Sequence, residues 1–168
     1  YRGISRKNFP NWDGWESIDE LKPIKRGAVF QSLEALVKAF YLSTFWTWAK
    51  AINNQVIAEI LVDWRINGGF NTKKLQQMVG EKQDGKIGAK TIAAINRTNA
   101  TRLFTTIKNA RAQHYARIVQ NDPSQAKFAE GWAKRLESFK APAAVLGIGA
   151  MLLIGWVIYL AVESKSIA

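Results

Sequence analysis

The 168-residue sequence contains no cysteine, so disulfide scaffolds, thiolate zinc sites and cysteine nucleophiles are excluded. It holds one histidine, His114, which falls on the apolar face of its segment and reads as a packed core residue rather than a ligand or base. No alternation of polar and apolar residues is long enough to argue for a sheet, a short hairpin in the 80–88 region being the one candidate. The scattered carboxylates form no recognisable calcium loop, and neither a metal nor a cofactor is implied. Acidic residues are scarce: 13 Asp and Glu stand against 24 Lys and Arg, for a net charge of +11. Such a balance favours an anionic partner: nucleic acid, an acidic membrane surface, or a cell wall bearing carboxylates and phosphates. With 48% apolar and 22% charged residues, the chain falls among folded proteins rather than disordered basic tails. It begins at Tyr1 with no Met or signal peptide before it, and so reads as a fragment or a processed product.

Charge is missing altogether from residues 141–162, a run bounded by Ala141 and Val162 that includes Leu152, Leu153, Ile154, Trp156, Val157, Ile158 and Leu160. At about 1.5 Å per residue, 22 helical residues cross a hydrocarbon core of about 30 Å. The run therefore predicts a single transmembrane helix, with Trp156 and Tyr159 near one boundary and a tail at 163–168. A buried core helix is the alternative. Ala143 and Gly147 form a small-residue pair of the kind that closes helix pairs, but the pattern is common by chance. Lys127, Lys134, Arg135 and Lys140 precede the span and only Lys165 follows it, which by the positive-inside rule keeps the basic body on the cytoplasmic side. All of the net charge belongs to residues 1–140.

That body reads as mostly α. Val29, Leu33, Leu36, Val37, Phe40 and Tyr41 recur at helical spacing, as do Val56, Ile57, Ile60, Leu61 and Trp64, a stripe that stops at Asn67, Gly68 and Gly69. A longer pattern runs through Leu103, Phe104, Ile107, Ala110, His114, Tyr115, Ile118 and Val119 to Asn121. Asp122 is placed to cap the next helix, with Pro123 at its first position and Gln125 completing a capping box. That helix carries Phe128, Trp132, Leu136 and Phe139. Residues 74–96 form a compact helix-turn-helix around an Asp84-Gly85 turn, a pattern also compatible with DNA binding.

Glu59, Asp63 and Asn67 share one helix face at i, i+4 and i+8. Two carboxylates one turn apart could bind sugar hydroxyls or raise each other's pKa for acid catalysis; a solvated helix face is the plain alternative. Five tryptophans, Trp12, Trp15, Trp46, Trp48 and Trp64, crowd the first 64 residues, and an indole face packs well on a pyranose ring, although core packing accounts for most such residues.

Lys74-Leu75-Gln76, Val79-Gly80, Asp84 through Gly88, Thr91 and Ala94 resemble the peptidoglycan-binding unit of the glycoside hydrolase family 108 endolysins, the N-acetylmuramidases of phages and prophages. Upstream, Tyr1 through Ile4, Asp63-Trp64, Asn67 and Gly69 resemble the catalytic part. Downstream, Ala110-Arg111, Tyr115, Asn121, Pro123-Ser124-Gln125, Lys127-Phe128, Gly131-Trp132 and Arg135 resemble the closing helices. The likeness covers roughly residues 1–139 and not the apolar run. It implies a lysozyme-like fold, and a complete protein that is a glycoside hydrolase cleaving peptidoglycan glycan strands through an oxocarbenium-like transition state.

The family's catalytic glutamate lies in a Glu-Gly-Gly type motif that no part of residues 1–168 contains, so the general acid is expected upstream of Tyr1 and the chain by itself is expected to be inactive. Asp63 is the expected supporting carboxylate and Asn67 its hydrogen-bonding partner; Tyr1 and Trp64, which lie in the resembling segments, and Glu59 and Trp12, from the carboxylate pair and the tryptophan content, are candidate substrate-binding residues.

The expected organisation is then a partial lysozyme-like domain over 1–68, a peptidoglycan-binding helical domain over 69–139, a transmembrane helix over 141–162 and a tail. Peptidoglycan is the expected partner, with a holin-like lysis partner and no nucleic acid. The expected localisation is a single-pass anchor in a bacterial or phage-infected envelope, its side undecided because the charge count and the substrate's location disagree. A non-catalytic wall binder and a basic nucleic-acid binder are the rival readings.

Overall fold

The computed structural model describes residues 1–142. Seven α-helices lie among them: α1 (Gly14–Glu20), α2 (Gln31–Phe45), α3 (Gln55–Ile66), α4 (Thr72–Met78), α5 (Ala89–Arg97), α6 (Ala100–Asn121) and α7 (Ala129–Ser138). Two 3-10 segments, Ala49–Ala51 and Pro123–Phe128, join them. No strand occurs among the described residues, and residues 80–88, the one candidate hairpin, form an irregular loop. The chain divides into two compact units, Tyr1–Thr47 and the part from Trp48 onward.

The first unit is built on aromatic packing. Ile4, Trp12, Trp15, Ile18, Leu33 and Val37 form its buried centre, with Phe9, Phe30, Phe40 and Tyr41 packed around them. Trp12 and Trp15 meet edge to face at 5.0 Å, an arrangement that suits the ring quadrupoles, and the Trp15 indole donates to the Phe9 carbonyl at 2.7 Å. Gly14 opens α1 directly against Trp12, where an added Cβ would run into the indole. Arg6 forks onto Asp19 and lies 4.6 Å above the Trp15 ring.

In the second unit three helices start on an asparagine. Asn54 accepts from the Ile57 amide to begin α3, Asn71 from Lys74 to begin α4, and Asn99 from Arg102 to begin α6, so each satisfies a first-turn donor that the helix cannot. The α3 stripe buries Ile57, Ile60, Leu61 and Trp64, each worth about 1.5–3 kcal/mol relative to exposure, and packs on α6. Gly68 and Gly69 end it at φ +83° and +79°, a backbone region that disfavours any residue with a Cβ. α7 returns along α6 around Leu136, Ala112 and Tyr115. At its start, the Asp122 carboxylate accepts from the Ser124 amide and from the Gln125 side chain, but the turn that follows is 3-10 before α7 begins at Ala129.

The loop between α4 and α5 is organised by one buried side chain. Gln76, 1% exposed, points its amide nitrogen at Asp84 Oδ1 (2.7 Å), the Lys86 carbonyl (3.0 Å) and Thr91 Oγ1 (3.2 Å). Its amide oxygen accepts from the Gly85 N–H at 2.9 Å, while its own carbonyl accepts from Glu81. Asp84 in turn accepts from the Lys86 amide at 2.8 Å. The Asp84-Gly85 turn and Thr91 are thus parts of a polar knot that leaves no buried amide group of Gln76 unmatched.

The expected transmembrane helix and the membrane anchorage drawn from it are corrected. No helix among the described residues is both long and apolar enough to cross a membrane. The longest, α6, has 22 residues, but Arg102, Lys108, Arg111 and Arg117 interrupt it. Of the run 141–162, only Ala141 and Pro142 are described and they are not helical; the rest lies outside the described residues. The fold is mostly α without a membrane-spanning element among the described residues.

Candidate functional site

The last turn of α3 carries Asp63, and around it the second unit places a cluster of charges. Arg111 of α6 donates from Nη2 to Asp63 Oδ2 at 2.6 Å, and Arg135 of α7 from Nη1 to Asp63 Oδ1 at 2.6 Å. Asn67 adds its amide nitrogen to Oδ1 at 3.0 Å and to the Asp63 carbonyl at 2.9 Å. The Arg111 side chain is fully buried and also reaches the Ile60 carbonyl and the Tyr115 hydroxyl. Arg135 is 44% exposed. Both Asp63 oxygens are thus committed to cations, and two guanidiniums against one carboxylate leave one positive charge in excess. Such a carboxylate holds helices and orients arginines; it is not placed to deliver a proton.

Beside this cluster opens a groove of about 370 Å³. Asn67 and Arg135 line it on the Asp63 side, and Tyr115, Trp132, Phe128, Lys127 and Gly131 complete it. Tyr115 and Trp132 are stacked with centroids 4.9 Å apart and planes 12° apart, and Phe128 lies 6.0 Å from Trp132. Phe128 is 47% exposed, and the Lys127 ammonium sits 5.1 Å from its ring centroid. Nothing lies within 4 Å of where a Gly131 Cβ would be. Hydrogen bonds from Ser124 and Gln125 hold the Asp122 carboxyl below its ordinary range and anchor the 3-10 turn that presents Lys127 and Phe128. The groove combines aromatic surface with two cations. It belongs to a strongly basic stretch, since residues 48–142 hold 16 Lys and Arg against 7 Asp and Glu.

Of the residues singled out in the sequence, Asp63 and Asn67 are joined as described, and Asn67 reaches the groove. Glu59 stands one turn earlier on α3, exposed, accepting from Gln55 at 2.9 Å and taking no part in the cluster. Trp64 is 1% exposed and packs edge to face on Phe70 at 5.5 Å. Tyr1 and Trp12 belong to the first unit, where their rings stack at 6.4 Å; the Tyr1 hydroxyl donates to Glu34 and accepts from the Phe30 amide. Trp12 is buried. His114 is half-buried against Gly69 and Tyr115, and burial first, then Arg117 and Lys74, push its pKa down.

Residues that the sequence did not assign to a site are Arg111, Tyr115, Lys127, Phe128, Trp132 and Arg135. The signal for them is their spacing: Arg111 and Tyr115 are one turn apart on α6, as Asp63 and Asn67 are on α3.

Among the described residues no group of three His, Asp or Glu side chains could hold a metal ion. No curated protein and no solved structure matches the chain. Residues 71–137 match the family described as "Predicted Peptidoglycan domain", a stretch that begins at the cap of α4 and takes in the Gln76 knot, α5, α6 and nearly all of α7. Residues 71–137 are thus similar to a peptidoglycan domain, a likeness that points to the cell wall.

Proposed function

We propose that this chain is the wall-gripping part of an endolysin-type muramidase, a glycoside hydrolase that acts on the glycan strands of peptidoglycan. The observation that carries the reading is the match of residues 71–137 to a peptidoglycan domain. It is supported by the resemblance of the flanking segments to the family 108 endolysins and by the excess of cations over 48–142, which suits a polymer rich in carboxylates. In this reading the binding body includes α3, because Asp63 ties it to α6 and α7. Hydrolysis proceeds by protonation of the glycosidic oxygen and charge development at the sugar, and needs an acid that Asp63, held by two arginines, does not provide. In this reading the chain acts as a binder, and the acid is the one the resemblance assigns to a Glu-Gly-Gly motif, which residues 1–168 do not contain.

Two measurements test this. The 168-residue chain is expected to co-sediment with purified sacculi and to leave them intact, and a version extended upstream to include the motif is expected to clear peptidoglycan in a zymogram. Absence of sedimentation removes the wall-binding reading. Clearing by the 168-residue chain alone removes the assignment of the acid to the upstream motif.

A further inference from the structure

Five features of the α6–α7 groove bear on what it takes. Its volume of about 370 Å³ falls in the range of small-molecule sites, about 300–1,000 Å³. Phe128 leaves nearly half of its surface to solvent beside the partly exposed Trp132, although most residues of that size are covered. Among the described residues Lys127 has no salt-bridge partner and it lies over Phe128, whereas Arg135 keeps guanidinium donors beyond the one given to Asp63. Asn67 spends its amide nitrogen on Asp63, which leaves its amide oxygen as an acceptor on the groove wall. Finally, the position of Gly131 keeps the wall of α7 free of side chain.

A ligand that uses all of these has a flat apolar face, an acidic group within a few ångströms of that face, and a neutral N–H or O–H donor. We propose that this groove is a subsite for an N-acetylated wall sugar together with a free carboxylate of the peptide it carries. The sugar ring lies on Phe128 and Trp132, the carboxylate is met by Lys127 and Arg135, and a neutral donor meets Asn67. The proposal rests on the wall-binding reading and adds to it the place and the chemistry of contact.

The Asp63 cluster serves the same end. It neutralises the buried Arg111 and aims Arg135, so the groove keeps two cations on its rim, Lys127 and Arg135. A nucleic acid needs a track of several cations along its backbone, whereas here two cations face a single aromatic patch with a neutral amide beside it.

The test uses the full chain and three substitutions that avoid its buried residues: Phe128→Ala, Lys127→Gln, and Gly131→Leu, which fills the groove from a position where a Cβ meets nothing and where the helix gains propensity. Binding is measured to purified sacculi, to sacculi whose carboxyl groups have been amidated, and to a single-stranded oligonucleotide. Thermal unfolding of each variant serves as the folding control. Phe128→Ala and Gly131→Leu are expected to weaken sacculus binding about tenfold with melting curves unchanged. Amidation is expected to weaken the unsubstituted chain severalfold and to have less effect on Lys127→Gln, because the two changes remove the same contact.

If the unsubstituted chain binds sacculi and all three variants bind equally well, the groove assignment is overturned while the wall-binding reading stands. If binding depends on Phe128 and Gly131 but ignores amidation, the carboxylate is overturned as the ligand group. Failure of the unsubstituted chain to bind any sacculi, with oligonucleotide binding lost in Gly131→Leu, overturns both readings in favour of a nucleic-acid groove.

Discussion

Arg111 and Asp63 stand 48 residues apart in the chain and meet at 2.6 Å, the guanidinium wholly buried and the carboxylate 18% exposed. A fully buried cation with one carboxylate partner is the arrangement in which removing the partner costs most, because the remaining charge cannot be rehydrated. Asp63→Asn is therefore expected to lower the unfolding free energy of the second unit by about 3 kcal/mol. Arg135→Gln, which removes the half-exposed partner, is expected to cost less than about 1 kcal/mol. Urea unfolding of the two variants side by side checks both, and equal losses would contradict the assignment of Arg111 as the dominant partner.

Gln76 offers a second measurable dependence. Replacing it with leucine keeps the bulk but deprives the Gly85 N–H of its partner, at about 1–3 kcal/mol for the group left unsatisfied, and leaves the Lys86 carbonyl with the Thr91 hydroxyl alone. The loop between α4 and α5 has no strand or helix to hold it, so Gln76→Leu is expected to expose it locally before the unit unfolds. Faster tryptic cleavage at Lys82 and Lys86, both exposed, is the readout. Cleavage at the original rate would show that the loop is held by something other than this amide.

Gly68 and Gly69 share positive φ but differ in their surroundings. A Cβ at Gly68 meets nothing within 4 Å, whereas at Gly69 it would run into the His114 ring. Gly68→Ala is expected to cost about 1–2 kcal/mol for the backbone alone, and Gly69→Ala clearly more, with a correspondingly lower melting temperature. Similar melting temperatures for the two variants would mean that the imidazole moves aside freely.

How far these relations were legible from sequence depended on their reach along the chain. The stripe on α3, its stop at Gly68 and Gly69, and the end of α6 at Asn121 follow from helical periodicity and from residues adjacent in sequence, and the structure has them there. The Asp84-Gly85 turn was readable as a turn, but its clamp was not, because a glutamine on a short helix looks like a solvated surface residue until the fold closes over it. Periodicity put Asp63 and Asn67 on one face and could not say what that face meets: Arg111 and Arg135 lie 48 and 72 residues further on. Trp64 and Trp12 as ligand-binding rings competed with core packing, and each is buried.

His114 predicts a pH dependence. Its folded pKa lies below the ordinary 6.5, through burial and then through Arg117 and Lys74, so the unfolded chain takes up the proton more readily than the folded one. The stability tied to the neutral imidazole is fully present above pH 6.5 and is lost as the pH falls below that value toward the folded pKa. His114→Gln is expected to flatten the fall in melting temperature between pH 7 and pH 5. A parallel fall in the variant would assign that limb to other groups.

Because one carboxylate joins α3, α6 and α7, the wall that bears Asn67 and the wall that bears Arg135 are held at a set spacing before anything arrives. If the groove takes a wall sugar as proposed, the sugar meets a jaw already locked at its working width, and little ordering of the protein is left to be done on contact. Differences in grip among wall chemistries are expected to appear in how slowly the complex comes apart rather than in how fast it forms.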